Sequence, residues 1–440
     1  AAGVGKYYFW GEPIYGYYRG DDPWVHLKNM QLLTDAAVDF LVLDATNRLI
    51  YTKQVSVLLE AIRHVRKQGK AAPKLVFYTN TSSKDAMQDI YNTFYAADAK
   101  VPIGDNAYNL EGKPLIIGLS QEAKGSNYAE FFTFRESQWP NEPQKVDGWP
   151  WIEFQRPQKV YNNHEGKREI INVSASQHPN LDASMGGSAF YGKSGNWGRS
   201  FRKGDAGNPD KDLRYGYNIQ EQWDYALTQD VPFIFITGWN EWIAGKWSRT
   251  DEHKNQAHFV DQANAEYSRD IEPSWTAGLK DSYYMQMMSN IRRYKGINAV
   301  SSLQKQKTIM HPSDWNKAVA LYEDYTGDIL HRNHPGAQSD PQITYANNSG
   351  RNDLKTIKLI ADPHALHFYV STVDKLSEKI GENWMTLWLN TDQSYTSGWY
   401  GYDFRVIAGN RLQQFKQGFW QDLKLVTYKA QNNELVVRIP

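Results

Sequence analysis

Seven short apolar runs, rich in β-branched and aromatic residues, punctuate the first 240 residues of this chain: 7–10, 40–43, 74–78, 115–119, 131–134, 170–174 and 233–236. Their hydrophobicity is continuous rather than alternating, the pattern of parallel strands buried on both faces. Between them, 24–37, 55–68 and 85–95 carry apolar residues at helical spacing, and Gly69 and Pro73 end the second helix and lead into the next strand. Strand–helix alternation narrows the fold to a βα barrel or a doubly wound sheet. The eighth strand a barrel needs is placed in 259–271.

The residues that follow these runs favour the barrel. Glu12, Asp44, Asn80, Gln121-Glu122, Glu136, Gln177-His178 and Asn240-Glu241 all sit at or just past a strand end. A barrel gathers every strand end on one rim, whereas an open sheet gathers them only at a switch point. Residues 281–295 read as the helix that closes the barrel. From about His331 the character changes to alternating strands, at 356–361, 366–371, 384–389, 404–407, 423–428 and 435–439, as in a β-sandwich. The expected fold is therefore α/β. A (β/α)8 TIM-like barrel spans 1–300, a linker region 301–330, and a small antiparallel β-sandwich 331–440.

Composition excludes several functions. The 440 residues hold 49 basic and 49 acidic side chains, so no bulk positive charge recruits nucleic acid. Cysteine is absent, which removes disulfides and thiolate metal sites. No apolar run reaches the ~20 residues of a membrane span. No metal and no cofactor is expected, since no His-x-x-x-His, calcium loop, phosphate-binding glycine loop or Gly-x-Ser-x-Gly elbow appears. Aromatics make up 14 %, with 16 Trp and 28 Tyr. That is more than a core calls for, and flat aromatic surface in clefts is what sugar rings stack on.

The richest stretch is Trp239-Asn240-Glu241-Trp242, an acid between two tryptophans directly after a strand. Glu241 is either a helix cap or ion-pair partner, or a catalytic acid of a glycan site. Glycoside hydrolysis usually takes two carboxyl groups, ~5–5.5 Å apart for retention and ~6.5–9.5 Å for inversion. The long loop after the sixth strand offers Asp182 and His178, and strands six and seven are barrel neighbours. Asp182 reads equally as an Asx-turn residue. Asp44 is a further candidate, or a partner for a neighbouring loop. Arg19, Arg48, Arg135, Arg199, Arg202 and Lys203 fall near strand ends or in the loop, and arginine forks suit sulfate, phosphate or carboxylate. Each alone reads as a solvated loop residue, and together they point to an anionic glycan. Among the aromatics, Trp139, Trp197 and Trp242 lie in loops after strands and are assigned to sugar stacking.

The run Ile236-Thr-Gly-Trp-Asn-Glu-Trp-Ile-Ala-Gly245 resembles the Trp-Asn-Glu-Trp signature of barrel proteins like glycoside hydrolase families 71 and 99, and Tyr267-Ser-Arg-Asp-Ile-Glu-Pro273 resembles their segment ending in Ile-Glu-Pro. The resemblance implies an endo-acting enzyme of α-linked glycans. Family 99 keeps a second acid three residues after the first, where this chain has Ala244, so only Glu241 carries over. A nearer likeness, over roughly 5–296, is to the endo-fucanases of glycoside hydrolase family 168, which cleave sulfated marine α-fucans with retention using one Asp and one Glu. It implies Asp182 as nucleophile and Glu241 as acid/base. The tail, with Gly350-Arg-Asn-Asp, the stretch 384–393 and Gly398-Trp-Tyr-Gly-Tyr-Asp-Phe404, resembles a family 9-type carbohydrate-binding sandwich.

The expected protein is a retaining endo-acting glycoside hydrolase of sulfated fucan, of the endo-1,3-fucanase type, from a marine bacterium. Glu241 and Asp182 are its two acids, in either role. Trp239, Asn240, Trp242, His178, Arg199, Arg202, Lys203, Trp197, Trp139, Asp44, Arg19 and Glu12 hold the substrate. The partner is a polysaccharide, with no nucleic acid, no membrane span and a monomeric state. No signal peptide is visible, and Ala1-Ala2-Gly3 reads as the start of a mature or truncated chain. Its expected place is secreted, periplasmic or at the cell surface. The alternatives are a non-catalytic glycan-binding surface protein and an endo-mannanase-like glycosidase of a neutral α-glycan.

Overall fold

The computed structural model describes residues 3–179, 181–182, 187–188, 195–247, 258–259, 262–296, 312–318, 320–339, 342–381, 384–392, 394 and 397–440. The chain divides into two compact units, Ala1–Tyr294 and Lys295–Pro440. Of the region read as a linker, 301–330, residues 301–311 and 319 lie outside the described residues, and Ala320–Glu323 is a strand.

In the first unit, strand β1 (Lys6–Phe9) is followed by helix α1 (Pro23–Asp35). Asp22 caps that helix by accepting the Trp24 N–H at 3.1 Å, and Pro23 fills its first turn. Next come β2 (Phe40–Ala45), α2 (Thr52–Lys67), β3 (Lys74–Thr79), α3 (Ser83–Ile90), β4 (Lys113–Gly118), β5 (Thr133–Gln138) and β6 (Gly148–Pro150). Strands β2 to β6 form one sheet in sequence order, every neighbouring pair parallel. After a short strand β7 (Val160–Asn162), β8 (Arg168–Ser174) pairs in parallel with β9 (Phe233–Thr237), which follows α4 (Tyr217–Ala226).

The continuous apolar runs fold as strands because both faces are covered. On β3, Val76 and Tyr78 point into one cluster with Leu115, Ile117, Trp149, Tyr161 and Ile170, joined by Phe40, Phe233 and Phe235 from strands on both sheets. Phe77, between them, points the other way and stacks on Phe94 at 5.0 Å. Phe40 of β2 lies 6.2 Å from Phe233 of β9, and Trp149 5.0 Å from the same ring, so the two parallel sheets share one interior. Asn172 on β8 ties them with polar bonds, its amide donating to Trp151 O (3.1 Å) and to Thr237 Oγ1 (2.7 Å).

Three expectations are corrected. The run 7–10 is not a parallel strand. β1 lies antiparallel to β10 (Ile243–Trp247), which in turn pairs with His258–Phe259. Of the run 259–271 only Phe259 enters a ladder, antiparallel to β10, and its other described residues form no strand. Past β9, the segment 269–275 is held by separate bonds: Glu272 N–H to Trp239 O at 2.9 Å on one side, Trp275 N–H to Glu12 O at 3.0 Å on the other. The third correction is β6, which went unread because Gly148-Trp-Pro150 is too short to show a period. Seven parallel strands and this segment are what the described residues contain of a barrel: five in one sheet, two in the other.

The second unit contains a five-stranded antiparallel sheet (Ala320–Glu323, Leu354–Asp362, Ala365–Thr372, Glu434–Ile439, Thr427–Gln431) and a four-stranded one (Leu387–Leu389, Phe404–Ile407, Arg411–Lys416, Phe419–Leu425). Phe368, Val370, Leu435 and Val437 from the first pack with Trp384, Val406 and Leu412 around the second. The run 423–428, read as one strand, is divided. The chain leaves one sheet at Leu425 and enters the other at Thr427, with Val426 buried at the crossing and its N–H on Asn410 O at 2.8 Å.

Candidate active site

Glu241 follows β9 by four residues. Gly238 makes the turn, with φ +103, and a side chain there would run into the Arg269 carbonyl. Only glycine allows so close an approach of two backbones in that conformation. The turn delivers Trp239 to Trp242 against the extended segment, which locks them by side chains at alternate positions. Asp270 Oδ1 accepts the Glu241 backbone N–H at 2.7 Å, and Asp270 Oδ2 accepts Trp10 Nε1–H at 3.1 Å. Trp10 Nε1 also lies 3.1 Å from the Glu241 carbonyl. Two residues on, Glu272 accepts from Tyr18 Oη (2.8 Å), Asn29 Nδ2 (2.7 Å) and Trp242 Nε1.

The Glu241 backbone is thus fixed while its side chain remains 50 % exposed, with Oε2 3.8 Å from Arg269 Nη2. Arg269 is buried, and its guanidinium lies 4.7 Å from the Trp151 ring centre. Trp151 meets Trp139 edge-on at 5.3 Å, and its ring lies 6.2 Å from that of His178. Burial, and then the charge of Arg269, hold the His178 imidazole well below its usual pKa, so it is neutral at physiological pH. Burial raises both clamp carboxyls: Asp270 against the pull of its donors and two arginines, and Glu272 to about 7.

The structure sorts the sequence-derived residues. Glu241, Trp239 and Asn240 share one rim segment, with Asn240 exposed and Trp239 half-buried. Trp242 is 5 % exposed and stacks on Trp10 at 4.7 Å and 16°, so it offers no free face to a sugar. Trp139 and Trp197 are half-buried, and Trp197 stacks on Phe201. Arg199 is fully buried, donating to Ser268 Oγ (2.9 Å) and sitting 4.2 Å from the centre of the Tyr283 ring, which leaves it no role in reading a solvent-borne anion. Arg135 is buried too, in a two-pronged pair with Glu169 (2.8 Å on each prong). Arg202 and Lys203 are exposed, with Arg202 over Tyr217 at 4.6 Å. Arg48, also exposed, lies 3.8 Å from Asp85. Arg19 is exposed and pairs with Asp21 at 3.3 Å. Asp44 is exposed and accepts the Thr46 N–H at 2.8 Å. Glu12 gives its backbone N–H to Thr276 Oγ1 at 2.6 Å. Asp182 lies in a two-residue strand whose backbone pairs with Gly187; its side chain, and the loop on either side, lie outside the described residues.

Sequence reasoning counted Tyr18 only among the aromatics and did not assign Arg269, Asp270 and Glu272 to the candidate site. The signal was present in Asp270-Ile-Glu272, two acids two residues apart with an apolar residue between, which on an extended segment places both on one side. Among the described residues, no group of three or more His, Asp or Glu side chains is placed to hold a metal ion, and no helix is long and apolar enough to cross a membrane.

No family model matches the chain, and no curated protein does. Among solved structures, the chain is similar to two of the GH99 endo-alpha-mannosidase from Bacteroides thetaiotaomicron, one of them in complex with bis-tris-propane. Identity is 14 % for the complex and 15 % for the other, the TM-score is 0.37 for both, and 65 % of this chain is covered against 88 % and 84 % of theirs.

Proposed function

We propose that this protein is an endo-acting glycoside hydrolase of α-linked polysaccharide, with sulfated fucan as substrate. The observation that carries the reading is Glu241: a half-exposed carboxyl just past the C-terminal end of a parallel strand, its backbone held by Asp270 and Trp10 and its side chain beside Arg269. Strand C-termini are where parallel barrels keep their chemistry, and rigid backbone support is what a positioned acid needs.

In the proposed double displacement, Asp182 attacks the anomeric carbon as Glu241 passes its proton to the leaving oxygen and the glycosidic C–O bond breaks. Glu241 then takes a proton from water, whose oxygen displaces Asp182 and restores both groups. The substrate class rests on the exposed cations Arg202 and Lys203, since Arg199 is fully buried.

Digestion of sulfated fucan, followed by sizing of the products, tests the reading. Shortening of the chains by the wild type and its loss in Glu241→Gln are expected. One observation favours a second reading, a non-catalytic glycan binder: position 244 holds a buried alanine paired with Tyr8, so no second acid stands beside Glu241 on that strand. Retention of the fucan on an affinity gel without any shortening establishes that reading. Cleavage of a neutral α-mannan in its place would move the substrate to a neutral glycan.

A further inference from the structure

Glu272 is buried beneath the rim and reaches no solvent, yet its three donors come from three separate elements: Asn29 on α1, Tyr18 in the segment after β1, and Trp242 after β9. A buried carboxyl that merely braced the fold would end its contacts there. Here the contacts continue outward. The hydroxyl that Tyr18 gives to Glu272 also accepts the Asn240 side-chain amide, at 3.2 Å. Asn240 is exposed and directly precedes Glu241. A phenol has one proton, and with Glu272 ionised the carboxylate takes it, so the oxygen that remains faces Asn240 as an acceptor only. That dictates which end of the Asn240 amide turns inward: the NH2 group must point to Tyr18, and the carbonyl oxygen is left to face outward.

We propose that Glu272 acts through Tyr18 as a positioning relay that fixes the Asn240 amide, carbonyl outward, beside Glu241, where it accepts a hydroxyl hydrogen from the sugar being cleaved. The relay rests on the hydrolase reading above and names a specificity element of the same site. A sugar ring next to the scissile bond must then present a free hydroxyl to Asn240, and a ring sulfated at that oxygen has no hydrogen to donate. The relay therefore selects which positions of the substrate carry sulfate.

The experiment compares the wild type with Tyr18→Phe, Asn240→Ala and their double variant on sulfated fucan, reading kcat and KM from released reducing ends. Tyr18→Phe retains the ring and removes only the shared hydroxyl. A tenfold or greater loss of kcat/KM is expected for each single variant, with unfolding temperature within a few degrees of wild type for Tyr18→Phe. The double variant is expected to lose no more than the worse single, since both changes break one relay. Glu272→Gln, whose amide oxygen can still accept from Tyr18, is expected to retain more activity than Glu272→Ala. Full activity in Tyr18→Phe, or losses that multiply in the double variant, overturns the relay while leaving the hydrolase reading intact. A wild type that shortens no glycan overturns both.

Discussion

The backbone N–H of Glu241 donates to Oδ1 of Asp270 at 2.7 Å, across 29 positions of sequence. The same carboxylate receives Trp10 Nε1–H, so one side chain joins the first strand region, the last parallel strand and the segment between them. Asp270→Ala removes the acceptor of the Glu241 N–H and leaves Trp10 Nε1–H with the Glu241 carbonyl alone. The expected cost is about 2 kcal/mol of stability, read by urea unfolding, with Asp270→Asn losing less because one amide oxygen survives.

Glu241→Gln is expected to abolish hydrolysis while leaving unfolding unchanged. General acid–base groups contribute roughly 10²–10⁴-fold. The side chain is half exposed and its nearest cation, Arg269, is 3.8 Å away, so its neutralisation removes little from the fold. A variant with near-normal turnover would remove Glu241 from the chemistry.

Glu272 gives the molecule a dependence on pH. Burial lifts its pKa to about 7 from an ordinary 4.5. The folded state therefore holds the proton more tightly than the unfolded state between those values. This group's contribution to stability is fully present below about pH 4.5 and is lost as pH rises to about 7, on the order of 3 kcal/mol in all. Urea unfolding at pH 5 and pH 8, wild type against Glu272→Gln, isolates it. The gap between the two proteins is expected to narrow or reverse at the higher pH in favour of the glutamine. A constant gap would contradict the raised pKa.

Arg135 and Glu169 are paired by two bonds of 2.8 Å in a buried setting, and Trp149 Nε1 donates to the same carboxylate at 2.8 Å. Arg135 also pairs with Glu111 at 2.7 Å, so removing Glu169 leaves the guanidinium that partner and strips Trp149 Nε1–H of its acceptor. Glu169→Ala is expected to cost about 2–3 kcal/mol, which thermal unfolding would register as a fall. The double replacement Arg135→Met with Glu169→Leu is expected to recover part of it.

Charge reversal at Arg202 and Lys203 tests the substrate class. Both are exposed. If they read sulfate, Arg202→Glu with Lys203→Glu raises KM for sulfated fucan about tenfold or more and leaves the desulfated polymer unaffected. An unchanged KM on the sulfated chain speaks against recognition there. Arg199→Glu, which the sequence alone would have ranked with these, is expected to disrupt folding instead, because that guanidinium is enclosed by Ser268, Tyr283 and the Asp270 carbonyl.

Strands covered on both faces were legible, because continuous apolar runs such as 74–78 and 170–174 leave no other solution. So was the helix at 281–295, observed as Ser282–Lys295. Two features blurred the rest. Tyr7-Tyr-Phe-Trp10 has the composition of a parallel strand, but composition does not encode the direction of a partner, and its partner, Ile243–Trp247, runs the other way. The segment 269–275 is held by isolated bonds to Trp239 and Glu12, and bonds that sparse leave no periodic trace. At the site, position after a strand singled out Glu241 as a candidate, and the structure gives its side chain as half exposed. Sequence proximity could not tell Arg199, folded inward, from Arg202, three residues on and facing out. Nor could it show that Trp242 turns its face to Trp10.

That last pair carries a consequence for observation. Two indoles 4.7 Å apart and 16° from parallel couple their transition dipoles, and the coupled pair absorbs circularly polarised light differently from either ring alone. One ring directly follows β1 and the other directly follows Glu241. A change in their near-ultraviolet dichroism would therefore register loosening of the rim before the rest of the molecule opens, which gives the site a built-in optical gauge that needs no label.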